Sequence, residues 1–165
     1  MPDWLTFPVV KDVLLALLAL YGAALSTFNY CQSVRKERRT IEVNLSSVAP
    51  TYDDGNVGQC FAKVEATNAG HRAVTVRSLR LELATGAHLI SLSDGIPGMP
   101  DTPLPATLAD GQSAHKLLSY QGIAAALVQT GRTKKTKVTP VCEDSVGGIY
   151  KGKPWEVDPA EFSRL

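Results

Sequence analysis

From Val13 to Tyr30 the chain runs for 18 residues without a charge. Its apolar side chains fall on every face of a helix rather than along one stripe. At about 1.5 Å per residue such a helix covers roughly 27 Å, close to the hydrocarbon thickness of a bilayer. It extends upstream to Phe7 if Pro8 takes the first helical turn. The pattern changes at Thr40. From there to Val48 the residues alternate, with Ile41, Val43 and Leu45 on one face and Glu42 and Asn44 on the other, the period of a half-buried strand.

The alternation recurs along the rest of the chain. Gln59 to Asn68 places Cys60, Ala62, Val64 and Ala66 on one side. Ala73 to Leu83 begins in one register with Val74 and Val76 and ends in the other with Leu79, Leu81 and Leu83. A phase slip in a period-two pattern predicts a bulge or bend near Arg77-Ser78, and a bent strand is able to pass from one sheet to another. Ala87 to Leu92, Gln112 to Leu118, Lys135 to Glu143 and Ile149 to Lys151 read as further strands. Val138, Pro140 and Cys142 share a face of the third of these, and Pro140 predicts an edge position or a bulge. One stretch has helical spacing: Ser119 as cap, then Ile123, Ala124, Leu127 and Val128, with Gly131 as the stop. Pro154 to Leu165 reads as a tail in which Trp155 and Phe162 pack back and Asp158-Pro159 starts a helical turn.

Two connections stand out. Pro50 to Gly58 carries Asp53-Asp54-Gly55-Asn56, which is turn chemistry without the ligand spacing of an EF-hand. Residues 93–107 hold Pro97, Gly98, Pro100, Pro103 and Pro105, a run unable to form a helix or a central strand. The resulting boundaries are a flank over 1–12, a transmembrane helix over 13–30, a basic segment over 31–39, a β domain over 40–153 and a tail over 154–165.

Charge changes the picture at one place. Arg35-Lys36-Glu37-Arg38-Arg39 supplies four basic residues and one acid, whereas the 126 residues from Thr40 onward hold 12 Lys+Arg and 13 Asp+Glu. A near-neutral domain argues against nucleic acid as partner, since that binding neutralises phosphates. Basic residues beside a membrane span stay cytoplasmic, so the short N-terminus faces out and the domain faces the cytosol of a cell inner membrane. Trp4 and Tyr30, with Arg35, Lys36, Arg38 and Arg39, are the expected membrane-interface residues, and membrane lipid is one expected partner. Two other readings of the apolar run are a buried core helix and a signal peptide cleaved near Gly22 or Ala24. The positive charge lies on the wrong side of the run for the latter.

The segments Val64-Glu65-Ala66-Thr67-Asn68-Ala69-Gly70-His71-Arg72-Ala73-Val74-Thr75-Val76, Asp110-Gly111-Gln112-Ser113 and Glu143-Asp144-Ser145 resemble those of small immunoglobulin-like domains in membrane-anchored bacterial proteins of unknown function. The resemblance implies a mainly β fold, a seven-strand immunoglobulin-like β-sandwich with one short inserted helix behind a single transmembrane helix. It departs from antibody-type domains in having no Trp after Cys60 on the third strand, and it implies nothing about a ligand.

Little in the sequence points to chemistry. His71, His88 and His115 lack metal-type spacing, and the adjacent acids Asp53-Asp54 and Glu143-Asp144 read as turns. No nucleophile elbow, phosphate loop or HExxH motif is present. Catalytic, metal and cofactor sites are therefore expected to be absent. Cys60 and Cys142 look inward from strands that are candidates to be neighbours. They pair as a disulfide if the domain faces an oxidising compartment and stay reduced if it faces the cytosol. Arg132, Lys134, Lys135 and Lys137 form a second basic cluster, either a solvated face or a contact for phospholipid or an acidic partner. The expectation is a non-enzymatic, membrane-anchored module for protein–protein interaction or scaffolding, with its partner at a sheet edge or at the loop 93–107. The alternatives are a tethered ligand-sensing or small hydrolytic domain and an extracytoplasmic, disulfide-bridged binding domain.

Overall fold

The computed structural model describes residues 7–36, 39–53, 55–92 and 94–165. They fall into two compact units, Met1–Arg38 and Arg39–Leu165. The described residues of the first form one helix, α1 (Phe7–Lys36). Its stretch Val10–Ser33 is 24 residues long with mean hydropathy 1.6 and no buried residues, so it is long and apolar enough to cross a membrane. It starts at Phe7 and holds Pro8 in its first turn, where a missing N–H costs nothing.

The second unit is mainly β. In order it contains β1 (Ile41–Val48), β2 (Phe61–Asn68), β3 (Val74–Leu83), β4 (His88–Leu89), β5 (Gly95–Ile96), β6 (Met99–Pro100), β7 (Ala106–Leu108), β8 (Ser113–Ser119), α2 (Tyr120–Gln129), β9 (Thr136–Asp144), β10 (Ile149–Lys151), β11 (Trp155–Val157) and α3 (Pro159–Phe162). All pairings of these strands are antiparallel. One sheet has the order β1-β2-β8. The other is built on β3 and β9, with β4 and β7 on the outer side of β3 and β10 and β11 on the outer side of β9. β5 and β6 form a small hairpin of their own. Buried residues from both larger sheets, from α2 and from the tail share one hydrophobic cluster.

The long alternating strands form as expected. Ile41 and Val43 are buried on β1, and Ala62, Val64 and Ala66 on β2. The register of β3 against β9 shifts between Val76 and Ser78, which reconciles the two apolar phases of β3. The bulge does not carry β3 into the other sheet. Its two halves take different outer neighbours instead, β7 at Val74–Val76 and β4 at Leu81–Glu82.

Three expectations need correction. Among the described residues there are eleven strand segments rather than seven, because the Pro-rich loop itself folds into β5, β6 and β7 and the tail contributes β11. The expected strand Ala87–Leu92 pairs only at His88–Leu89, while the chain beyond runs exposed. Pro140 is on a central strand, with β3 on one side and the β10 and β11 segments on the other. The carbonyl of Pro140 accepts the Gly152 amide. A strand residue's N and O point the same way, so the missing donor of Pro140 faces the gap between β10 and β11, where no ladder bond is lost.

The helices follow their end signals. Ser119 accepts the Gly122 amide and caps α2, and Gly131 takes φ +75 just beyond its end. Ile123, Ala124 and Leu127 are buried there, but Val128, expected on the same face, is 54% exposed. Asp158 caps α3 by accepting the Ala160 amide. Phe162 stacks on Tyr120 and tilts against Trp155, so the tail packs onto the domain as expected.

Candidate functional site

Among the expected membrane-interface residues, Trp4 and Arg38 lie outside the described residues. Tyr30 is 71% exposed on α1, and Arg35 and Lys36 belong to its last turn. Arg39 belongs to the β unit, where its guanidinium lies 3.8 Å from Oδ2 of Asp144.

Asp144 is the centre of a tight polar cage. It is 2% exposed, and Oδ1 accepts the amides of Val146 and Gly148 at 2.9 and 2.7 Å. Oδ2 accepts the Tyr150 hydroxyl at 3.2 Å. Burial and the Asp144 charge raise the Tyr150 hydroxyl above its ordinary value of 10. The carboxylate is consumed in shaping the β9–β10 turn, which is the structural role its sequence context suggests. Glu143, next to it, is held below the usual carboxylate range by the Arg80 guanidinium.

A concave surface flanked by several elements lies between the run 88–92 and the first turns of α2. It encloses about 570 Å³. Phe61, Leu89, Ile90, Leu92, Ile96 and Ile123 line it together with His88 and Ser91, Ser119 and Gly122 line it at the start of α2, and no Asp, Glu, Lys or Arg among the described residues takes part. Ile90 is 59% and Leu92 96% exposed. Large aliphatic side chains exposed beside an uncharged hollow form the kind of patch that marks an interaction or ligand site. A second hollow of about 760 Å³ runs between α2 and α3 and includes Val128, Thr133 and Pro159.

The loop 93–107, expected as a docking site for a partner, is tied to β8 at Asp101 and Thr102. Beyond its hairpin, Asp101 and Thr102 lie along the outer edge of β8. Leu117 donates its amide to Oδ1 of Asp101 at 2.9 Å, and His115 donates to Oγ1 of Thr102 at 3.0 Å. Thr102 returns its own amide to the His115 carbonyl at 3.0 Å. Lys116 sets Nζ 3.1 Å from Oδ2 of Asp101. A sheet edge and this loop, expected as separate docking surfaces, therefore overlap: the loop covers the edge of β8. Asp101, Thr102 and Lys116 are not legible as a group in the sequence. The only hint is an Asp-Thr pair amid prolines and a lone Lys between His115 and Leu117.

The remaining residues stay apart. His71 pairs its Nδ1 with Oδ2 of Asp110 at 2.6 Å on the surface, His88 borders the apolar hollow, and His115 is on β8. Among the described residues no three His, Cys, Asp or Glu side chains converge as a metal site. Cys60, half-buried ahead of β2, and Cys142, buried on β9, are free thiols attached to different sheets. Burial, and then the Asp144 charge, push the Cys142 thiol up to about 12. Arg132, Lys134, Lys135 and Lys137 are all exposed; Lys137 lies 3.8 Å from Glu156, and β9 begins only after Lys135.

No protein-family model matches the chain, and no curated protein does either. Among solved structures it is similar to a protein described as the "X-ray structure of Northeast Structural Genomics Consortium target SoR45". The likeness has 13% identity and a TM-score of 0.27, and it covers 72% of this chain and 86% of that one.

Proposed function

We propose that this chain is a single-pass membrane protein whose β domain, an immunoglobulin-like sandwich in its finer classification, is a non-enzymatic protein-interaction module. Two antiparallel sheets around a common core support that classification. The α1 helix anchors the domain in the inner membrane. Its basic end at Arg35 to Arg39 stays on the cytoplasmic side and meets anionic headgroups. The partner docks in the hollow between residues 88–92 and α2. The observation that carries this is Leu92: a leucine 96% exposed, two residues from an exposed Ile90, at the rim of an uncharged cavity.

The experiment is photo-crosslinking in cell membranes with a photoreactive residue at position 92, and a matched one at exposed Lys153 as control. One discrete adduct at position 92, lost when Ile90→Asp is added, is the expected result. Equal adduct patterns from both positions, or none, would remove the hollow as the docking surface.

A further inference from the structure

The Asp101-Thr102 strap does for β8 what a neighbouring strand would do, but largely with side chains. It satisfies two amides that β8 turns away from β2, those of His115 and Leu117, and returns one backbone bond. Charged side chains are common edge guards, but a hydroxyl or a backbone carbonyl is enough to satisfy an outward amide. Here the acceptor is a carboxylate whose side chain is 2% exposed, set against a Lys116 side chain that is 18% exposed. Burying such a pair costs desolvation and is a poor way to gain stability, whereas it discriminates sharply among occupants. The β8 edge thus presents an amide and an ammonium to a carboxylate, then an amide and a carbonyl to a hydroxyl-bearing residue.

The strap is also poorly made as a permanent neighbour. Its contact with β8 is short: three hydrogen bonds, two of them accepted by side-chain oxygens, in place of a full ladder. An extended segment that pairs along more of Ser113–Ser119 makes more.

We propose that the β8 edge is a docking site for an extended segment of another protein carrying Asp or Glu followed by Ser or Thr, and that the Asp101-Thr102 strap is its intramolecular competitor. The strap is an autoinhibitory contact. Tethering gives it an effective concentration on the order of millimolar, so the partner binds the intact protein weakly and binds strongly once the strap is released. This inference stands on the strap contacts alone and needs neither the apolar hollow nor the membrane anchor.

The test uses the full chain in lipid nanodiscs and a synthetic peptide of residues 97–105, with an Asp-to-Ala version of the peptide as control. The receiving proteins are the natural chain and the double variant D101A/T102A. The expected result is that the peptide binds the double variant at least tenfold more tightly than the natural chain, restores slow hydrogen exchange at the Leu117 and His115 amides, and loses both effects in its Asp-to-Ala form. A folded double variant that binds neither peptide, or that keeps Leu117 slow to exchange without one, overturns the proposal. If the double variant does not fold, Asp101→Asn keeps an acceptor for Leu117 while removing the ion pair with Lys116. The peptide should then bind that variant several-fold more tightly than the natural chain, and equal binding overturns the competition.

Discussion

Tyr120 and Phe162 stack face to face, with ring centroids 4.0 Å apart and planes 5° from parallel. One ring opens α2 and the other closes α3, so the last turn of the chain is fastened to the helix that follows β8. Trp155 completes the cluster at 5.6 and 5.2 Å from the two rings. Tyr120 also shares a hydrogen bond with Ser47 of β1, which joins the aromatic cluster to the three-stranded sheet. Its hydroxyl is raised above 10 by burial, so it stays protonated at any ordinary pH.

Phe162→Ala should therefore loosen the tail and weaken the whole unit. Phe162 is 5% exposed, and emptying such a site costs about 3–5 kcal/mol where the surroundings do not collapse. The position near the chain end allows some collapse, which places the expected loss at the lower figure. Urea denaturation of the full chain, followed by Trp155 fluorescence, reads both effects. An unchanged midpoint would mean the tail contributes nothing to the core.

Much of the fold is legible in the sequence wherever a period survives. The α1 helix is apolar all round, and β1 and β2 alternate because each buries one face. The slip in β3 announces its bulge. β4 to β7 are two or three residues long and carry no period, so nothing in the pattern separates them from loop. Pro140 misleads for a different reason: its strand is central, but the neighbour breaks in two where the proline lacks a donor. The strap fails to show because Asp101 and Lys116 are far apart along the chain and come together only once β8 has an edge to cover. The apolar hollow is likewise assembled from four separate segments, and Leu92 looks like an ordinary strand residue until its pairing is seen to stop at Leu89.

Gly152→Ala tests the approach of the two sheets. Gly152 bonds to the Pro140 carbonyl, and a Cβ on it would collide with the backbone oxygen of Val43 and crowd the Pro140 ring. A backbone atom of β1 has nowhere to retreat to, so the added methyl should cost about 1–3 kcal/mol by overpacking. Differential scanning calorimetry of the natural and substituted chains measures it. A variant as stable as its parent would show that β1 moves freely at this point.

Glu143 should make stability depend on acid. Arg80 lies against its carboxylate and Arg77 reaches 3.9 Å from it, and the first of these does most to hold its pKa below the ordinary 4.5. A carboxylate with a depressed folded value contributes stability above its unfolded value, and that contribution is lost as pH falls through the folded one. Glu143→Gln should thus be less stable than the natural chain at pH 7, with the gap closing as pH drops below 4.5. Glu82, lowered by its hydrogen bond to Lys151, retains the same trend in both proteins. Melting curves at pH 7 and at pH 3.5 decide the matter, and a gap of equal size at both values would dismiss the charge as the cause.

Cys142 should be inert while the domain is folded. Its thiol is buried against the core and pushed up to about 12, first by burial and then by the Asp144 charge. At pH 8 only about one thiol in ten thousand is then the reactive thiolate, and access is blocked as well. In a Cys31→Ser background, a maleimide should label one site per chain, the half-buried Cys60, and reach the second only in denaturant. The same chemistry bears on a bridge between the two. Both are free thiols, and forming a disulfide requires a thiolate to begin, which Cys142 does not supply at neutral pH. Oxidation of the folded chain with copper phenanthroline should accordingly leave both thiols titratable after unfolding. Rapid formation of an intramolecular bridge, with a rise in melting temperature, would instead place the two strands in register across the core and restore the extracytoplasmic reading of the domain.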